Sequence, residues 1–430
     1  MKKKKQNKKK KLSFFKKIKN NIGKSFSFVS DNYTKNDDND FSISEVIVII
    51  IIAISFGIFI GYVITYSKYQ VGSEAKVAEI VSTYDNIVKD YYDKVDKNDL
   101  ADAAIKGMIN SLNDPYSNFI DSDVADAFNE TIDGEFVGIG VTIQYDLEKE
   151  YNKIISYLKD SPSKKVGLEI GDYIIKVNDE DVKGFYGDNI TKLVKGKIGT
   201  KVKITVLRGE KELEYIVTRG NIEIDSVTSK LVDEESKIGY IRIDSFAANT
   251  YKQFSNNLLK LEKKDINSLI IDVRDNPGGH LNQTREILSL FFNKKTILYR
   301  IENKGKVKKI YSTSNEERDY PVAVLINKGS ASASEILASC FKDNYKKVKI
   351  VGLNSYGKGT VQNSQSLSTG SSIKYTTDKW LTSKGKWLNE KGVKPDVEVS
   401  LNEEYYSDPK IETDNQIQQS IIVLKESNFE

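Results

Sequence analysis

From residue 222 onward, short apolar runs alternate with amphipathic segments, and this alternation limits the fold more than any other feature of the chain. The stretches "KIGYIRIDSF", "INSLIIDVRD", "PVAVLIN" and "KVKIVGL" have the length and β-branched content of buried strands. Between them, "ANTYKQFSNNLLKLEKK", "LNQTREILSLFF" and "ASASEILASCFKD" carry apolar residues at helical spacing. Strand–helix alternation of this kind predicts a largely parallel α/β sheet. "SIKYTTDKWLTSKG" adds β structure, and "DNQIQQSIIVLKES" reads as a short terminal helix.

The upstream chain has different periods. Residues 74–112 read as helical, first "EAKVAEIVSTYDNIVKDYY" and then "DLADAAIKGMINSL", with Asp99 as the expected N-cap. "NDPYS" then makes a turn. From about 131, "EFVGIGVTIQY", "YNKIISYL", "DYIIKVN", "KVKITVLRG" and "KELEYIVTR" are short strands, with "DNITKLVKG" as one helix among them. Residues 46–66 hold 21 residues without a formal charge, enough to span a hydrocarbon core of roughly 30 Å. A dozen lysines lie within residues 1–24. The positive-inside rule then places the N-terminus in the cytoplasm and residues 67–430 outside the cell membrane, on a single-pass anchor.

The net charge of +4 is unevenly spread: residues 1–66 hold 13 lysines against 5 acids. Basic character confined to one end argues against nucleic acid as a partner of the whole protein. With one cysteine and one histidine, an intrachain disulfide is impossible and neither a zinc site nor another cofactor is expected. The expected organisation is a multidomain α/β (α+β) chain. It comprises a basic tail and linker at 1–45, a transmembrane helix at 46–66, a helical part at 67–127, an inserted block at 128–220, an α/β core at 221–402 and a tail with a short helix at 403–430.

Three loops follow strands of the α/β region, where ligands bind in open sheets. They are "RDNPGGHL", "NKGSASASEI" and "SYGKGTVQ". The second offers Ser330, Ser332 and Ser334 at the start of a helix, and a nucleophilic serine needs a base. The single histidine, His280, reads better as a solvent-facing turn residue. A lysine desolvated by burial can lose its proton near neutral pH and replace histidine. Lys358 is the candidate, between Gly357 and Gly359, which permit a tight turn. Gln362, four residues on, could orient its amine. Gly278 and Gly279 offer amides unshielded by side chains, suited to a developing oxyanion.

"NDPYSNF", "GYIRIDSF", "LIIDVRDNPGGHL", "VLINKGSASASEILAS", "GLNSYGKGTVQ" and "LTSKGKWLNEKGVKPDVEV" together resemble the C-terminal processing peptidases, or tail-specific proteases, over about residues 75–405. The inserted block resembles a PDZ domain, with "FVGIGV" as its carboxylate-binding loop. The resemblance implies Ser332 as nucleophile, Lys358 as base and Gln362 as its partner. It implies oxyanion donors from Gly278 or Gly279 and from Ala333, and peptide-carboxylate amides at Ile139, Gly140 and Val141. "KDNYKKVKIVG" is one residue longer than the family pattern, in a place where an insertion costs little. Implied partners are protein substrates with unstructured, apolar C-termini, the membrane, and a second copy of the chain joined through the terminal helices as a homodimer.

Other classes fit less well. A catalytically inactive PDZ scaffold that binds protein C-termini would tolerate a degenerate catalytic set, yet the whole set is present. A penicillin-interacting enzyme needs K-T-G, and an α/β-hydrolase needs G-x-S-x-G with a later histidine. The chain has none of these.

Overall fold

The computed structural model describes residues 43–69 and 73–426, apart from residue 316. The basic tail and most of the expected linker, residues 1–42, lie outside the described residues. The described residues divide into two compact units, with the boundary between residues 97 and 98.

In the first unit Ile43–Tyr69 forms one helix of 27 residues, followed by the helix Ser73–Asp90. The apolar side chains of residues 46–60 are exposed. Among the described residues no helix is long and apolar enough to cross a membrane. The structure therefore does not show the expected span at 46–66.

In the second unit, the expected continuation of helix resumes at Lys97–Asn110. Asp99 is not the cap but lies in its first turn, where a carboxylate still favours the helix dipole. The central sheet runs in the order Val227–Asp233, Ile238–Ile243, Ser268–Asp272, Val322–Ile326, Val348–Gly352 and Val397–Glu398. Every pairing after the first is parallel, as the alternation predicts. Side chains of period two divide between its faces. Leu269, Ile271, Val324 and Ile326 face a core with Phe254, Leu258, Ile287, Leu337 and Phe341 from the three helices. Ile270, Ala323 and Leu325 face the other way, onto Ile417, Ile421 and Leu424.

The short helix expected in the tail is Asn415–Glu426, and it covers one face of the sheet. Its start is also tied to the root of the "NPGG" loop. Buried Arg274 bonds Asp272 of the adjoining strand, Asp414 at 2.8 Å and Gln416 at 2.7 Å.

A second, antiparallel sheet joins Asn118–Ile120, Ser372–Thr382, Ile297–Asn303 and Lys306–Tyr311, with Thr360–Ser366 also paired to Ser372–Thr382. The hairpin at 297–311 is missing from the sequence reading. Its signal is the two-residue turn Lys304–Gly305, both with positive φ, the primed-turn geometry that suits a hairpin.

The inserted block is a separate antiparallel sheet of Val141–Asp146, Tyr151–Tyr157, Tyr173–Val177, Lys201–Arg208 and Lys211–Thr218, with the short strand Glu180–Asp181 at its side. It has its own core, which includes Ile139, Ile154, Leu168, Ile190, Val202 and Ile204. The strand Glu135–Gly138 entering the block pairs with Gly220–Glu223 leaving it. "EFVGIGV" is therefore not one strand, as its alternation suggested. It breaks at Ile139–Gly140, where Gly140 takes φ +75°.

Candidate active site

The three loops follow the carboxyl ends of neighbouring parallel strands, Ser268–Asp272, Val322–Ile326 and Val348–Gly352. Hydrogen bonds then join them. Ala331 N–H donates to Asn276 O at 3.0 Å, and Tyr356 N–H donates to Ser330 O at 3.0 Å.

The three serines separate by their surroundings. Ser330 is fully buried, and its hydroxyl donates to Val273 O at 2.7 Å. Ser334 is also fully buried, with its hydroxyl donating to Asn276 O at 2.9 Å. These two fasten the serine turn to the "NPGG" loop. Ser332 alone is part-exposed. It sits at φ +55°, ψ −110°, just before the helix Ala333–Asn344. A non-glycine residue held there stores strain of about 1–3 kcal/mol, a condition that clusters at active sites.

The "NPGG" loop lies directly against this turn. A Cβ on Gly278 would stand 3.0 Å from Ser332 Cβ and 2.9 Å from Ala331 O, and Gly278 has φ +104°. Only glycine fits both the space and the backbone. The Gly278 amide is already engaged, donating to Asn276 Oδ1 at 2.8 Å. Among the described hydrogen bonds, the amides of Gly279 and Ala333 donate to nothing in the protein.

Glu335 is the residue that sequence reasoning missed. It is fully buried in the first turn of the helix. Its Oε2 accepts from Ser332 N–H and from Lys358 N–H, each at 2.8 Å. Its Oε1 accepts from Ser355 Oγ and from Gly357 N–H, each at 2.6 Å. One carboxylate thus holds the backbones of the serine and lysine loops together. The signal was present: a serine followed three residues later by glutamate at a helix start is a capping-box pattern.

Lys358 is half-buried. Desolvation, and then the charge of Lys374, draw its pKa below the ordinary lysine value, against the opposing pull of Asp114 and Glu335. Its ammonium lies over the Tyr116 ring, 4.9 Å from the centroid. Among the described contacts it makes no hydrogen bond to Ser332 or Gln362. Gln362 donates its amide to Thr360 Oγ1 at 2.9 Å and Thr376 Oγ1 at 3.0 Å, which orients its carbonyl as the remaining acceptor. Thr376 in turn donates to Asp114 of "NDPYS" at 2.5 Å. An open cleft of about 600 Å³ borders this region, with Tyr116, Thr360, Thr376 and Trp387 in its walls.

His280 is not a free turn residue: its Nε2 lies 3.1 Å from Ile132 O. In the inserted block, Ile139, Gly140 and Val141 line a cavity of about 260 Å³ with Ile143, Ile190 and Val194.

Comparison with known proteins gives the family. The family model for peptidase family S41 matches residues 237–399, that for the activating protease CtpB N-terminal domain matches 63–124, and that for the PDZ domain matches 137–218. The carboxy-terminal processing protease CtpA of Bacillus subtilis (strain 168) is 38% identical over 331 residues, covering 76% of this chain and 70% of that protein. A probable CtpA-like serine protease of Staphylococcus epidermidis is 37% identical over 343 residues, covering 78% and 68%. Among solved structures, the photosystem II D1 C-terminal processing protease aligns with a TM-score of 0.45 at 25% identity, covering 82% of this chain and 91% of that one. The chain belongs to peptidase family S41: it is a CtpA-like serine peptidase of the C-terminal processing kind, with a PDZ domain.

Proposed function

We propose that the protein is a membrane-anchored endopeptidase that uses Ser332 and Lys358 as a dyad to cut the C-terminal regions of extracytoplasmic proteins. The observation that carries this reading is the shared Glu335 oxygen, which brings the two loops' backbones together. Neutral Lys358 takes the Ser332 proton as the hydroxyl oxygen attacks a peptide carbonyl. The carbonyl becomes an oxyanion, held by the Gly279 and Ala333 amides rather than by the occupied Gly278 amide. One such donor contributes roughly 3–4 kcal/mol. The lysine then protonates the leaving amine, and water releases the acyl group by the same steps in reverse order. Gln362 orients the amine through its carbonyl.

The cavity beside Ile139, Gly140 and Val141 is mostly apolar, with Thr191 and Lys195 also in its lining, which suits the last side chain of an extended peptide added to the domain as a strand. Ser332→Ala should capture substrates without cutting them. Captured proteins should share apolar C-termini, and their fragments from the parent enzyme should end near those termini. Capture that ignores C-terminal sequence would remove the tail-recognition reading.

The anchor rests on the uncharged run at 46–66 and the lysines before it. The full chain should stay with membranes through alkaline carbonate extraction, whereas release into the supernatant would overturn the anchor.

A further inference from the structure

We propose that Tyr116 is a positioning residue for the peptidase reaction: its ring face seats the Lys358 ammonium and so sets the pH at which the amine can take a proton. This rests on the assignment of Lys358 as the base.

The backbone that carries the ring is tied down beside the lysine. Tyr116 N–H donates to Asp114 Oδ1 at 3.1 Å, and Asp114 Oδ2 accepts from Ser117 Oγ at 2.6 Å and Thr376 Oγ1 at 2.5 Å. Thr376 also receives the Gln362 amide. One carboxylate hub thus supports both the backbone that carries the ring and, through Thr376, the side chain expected to orient the amine. Tyr116 is also a wall of the open cleft. A peptide occupying the cleft would meet the ring that carries the base.

The negative face of an aromatic ring stabilises an ammonium and does nothing comparable for a neutral amine. Burial, and then Tyr356, push the Tyr116 hydroxyl up to about 12, so the ring acts as a neutral π face and not as a phenolate. Other groups facing Lys358 are Lys374 on the strand Ser372–Thr382, Asp114 in the turn and Glu335 on the helix Ala333–Asn344. Lys374 and desolvation favour the neutral amine; Tyr116, Asp114 and Glu335 favour the charged one. Tyr116 is the member of this set that can be removed without changing a formal charge.

The test is the rate at which a fluorophosphonate labels Ser332 in the full chain, followed against pH. Tyr116→Leu and Tyr116→Met should move the midpoint down by about 0.5–1 pH unit. Tyr116→Phe, which keeps the face, should leave it in place. The midpoint reports only folded enzyme, so partial unfolding lowers the amplitude without moving it. Should both ring-less variants fail to fold, Tyr116→Trp replaces them and should hold the midpoint or raise it. An unmoved midpoint in Leu and Met, an equal shift in Phe, or a fall in Trp overturns the proposal. Lys358→Ala separates the two levels. If it labels like the parent, the base assignment fails and Tyr116 with it. If it does not label while the Leu variant keeps the parent midpoint, only the role of Tyr116 fails.

Discussion

Lys358→Ala is expected to lower turnover of tailed substrates by about 10⁴-fold or more while peptide binding to the PDZ domain stays unchanged. The amine is the only group of the site proposed to move a proton. The PDZ groove, lined by Ile143, Ile190 and Val194, contains no part of it. Turnover of a tailed substrate and equilibrium binding of its C-terminal peptide are the two measurements. More than about a tenth of parent turnover in the variant would remove lysine as the base. Stability should move the other way. The folded pKa of Lys358 is depressed, so between that value and the ordinary lysine value the unfolded chain holds the proton and the native one does not. Stability then rises with pH across this window, so at any pH below the ordinary lysine value the desolvated amine is a burden on the fold. Lys358→Met should melt above the parent at pH 7 and lose that advantage as pH rises towards 10.

The parallel sheet was legible because both of its faces are buried, which leaves continuous apolar runs such as Val322–Ile326 with clear turn residues after them. The resemblance alone points to Ser332, Lys358 and Gln362 together, since physical reasoning from the residues left three serines open. The structure separates those serines by what each hydroxyl touches, and such contacts cross from one loop to another. The Ser330–Val273 bond spans 57 residues and the Ser334–Asn276 bond spans 58. No local pattern encodes partners so distant. The Asp114–Thr376–Gln362 chain was hidden for the same reason, because it joins the turn before the PDZ domain to a strand after it. The role of the last helix was hidden differently. The residues mark a short helix, and only the fold shows the sheet face, with Ile270, Ala323 and Leu325, that it covers.

Glu335→Gln should lower kcat by roughly 10²–10³-fold with little change in KM, although the side chain keeps its shape. The carboxylate accepts from four donors, two on each oxygen. A glutamine offers one oxygen, and its NH2 must face either the Ser332 and Lys358 amides, donor against donor, or Ser355 and Gly357, where the hydroxyl can accept but the Gly357 amide cannot. Each buried donor left unpaired costs about 1–3 kcal/mol, so urea unfolding should also show a loss of several kcal/mol. Loss of stability alone would not alter the enzyme that remains folded. The decisive reading is therefore kcat at a temperature where the variant is fully folded, together with the pH midpoint of Ser332 labelling. A positioning role predicts a slow enzyme whose midpoint moves down, because Lys358 is still desolvated but has lost the Glu335 charge that favours its ammonium form. Parent-like kcat in the folded variant would mean that the two loops hold their places without the bridge, through contacts such as Tyr356 N–H to Ser330 O. Glu335→Ala should be slower again, since it removes all four acceptors and leaves a space that water can enter beside the strained backbone of Ser332.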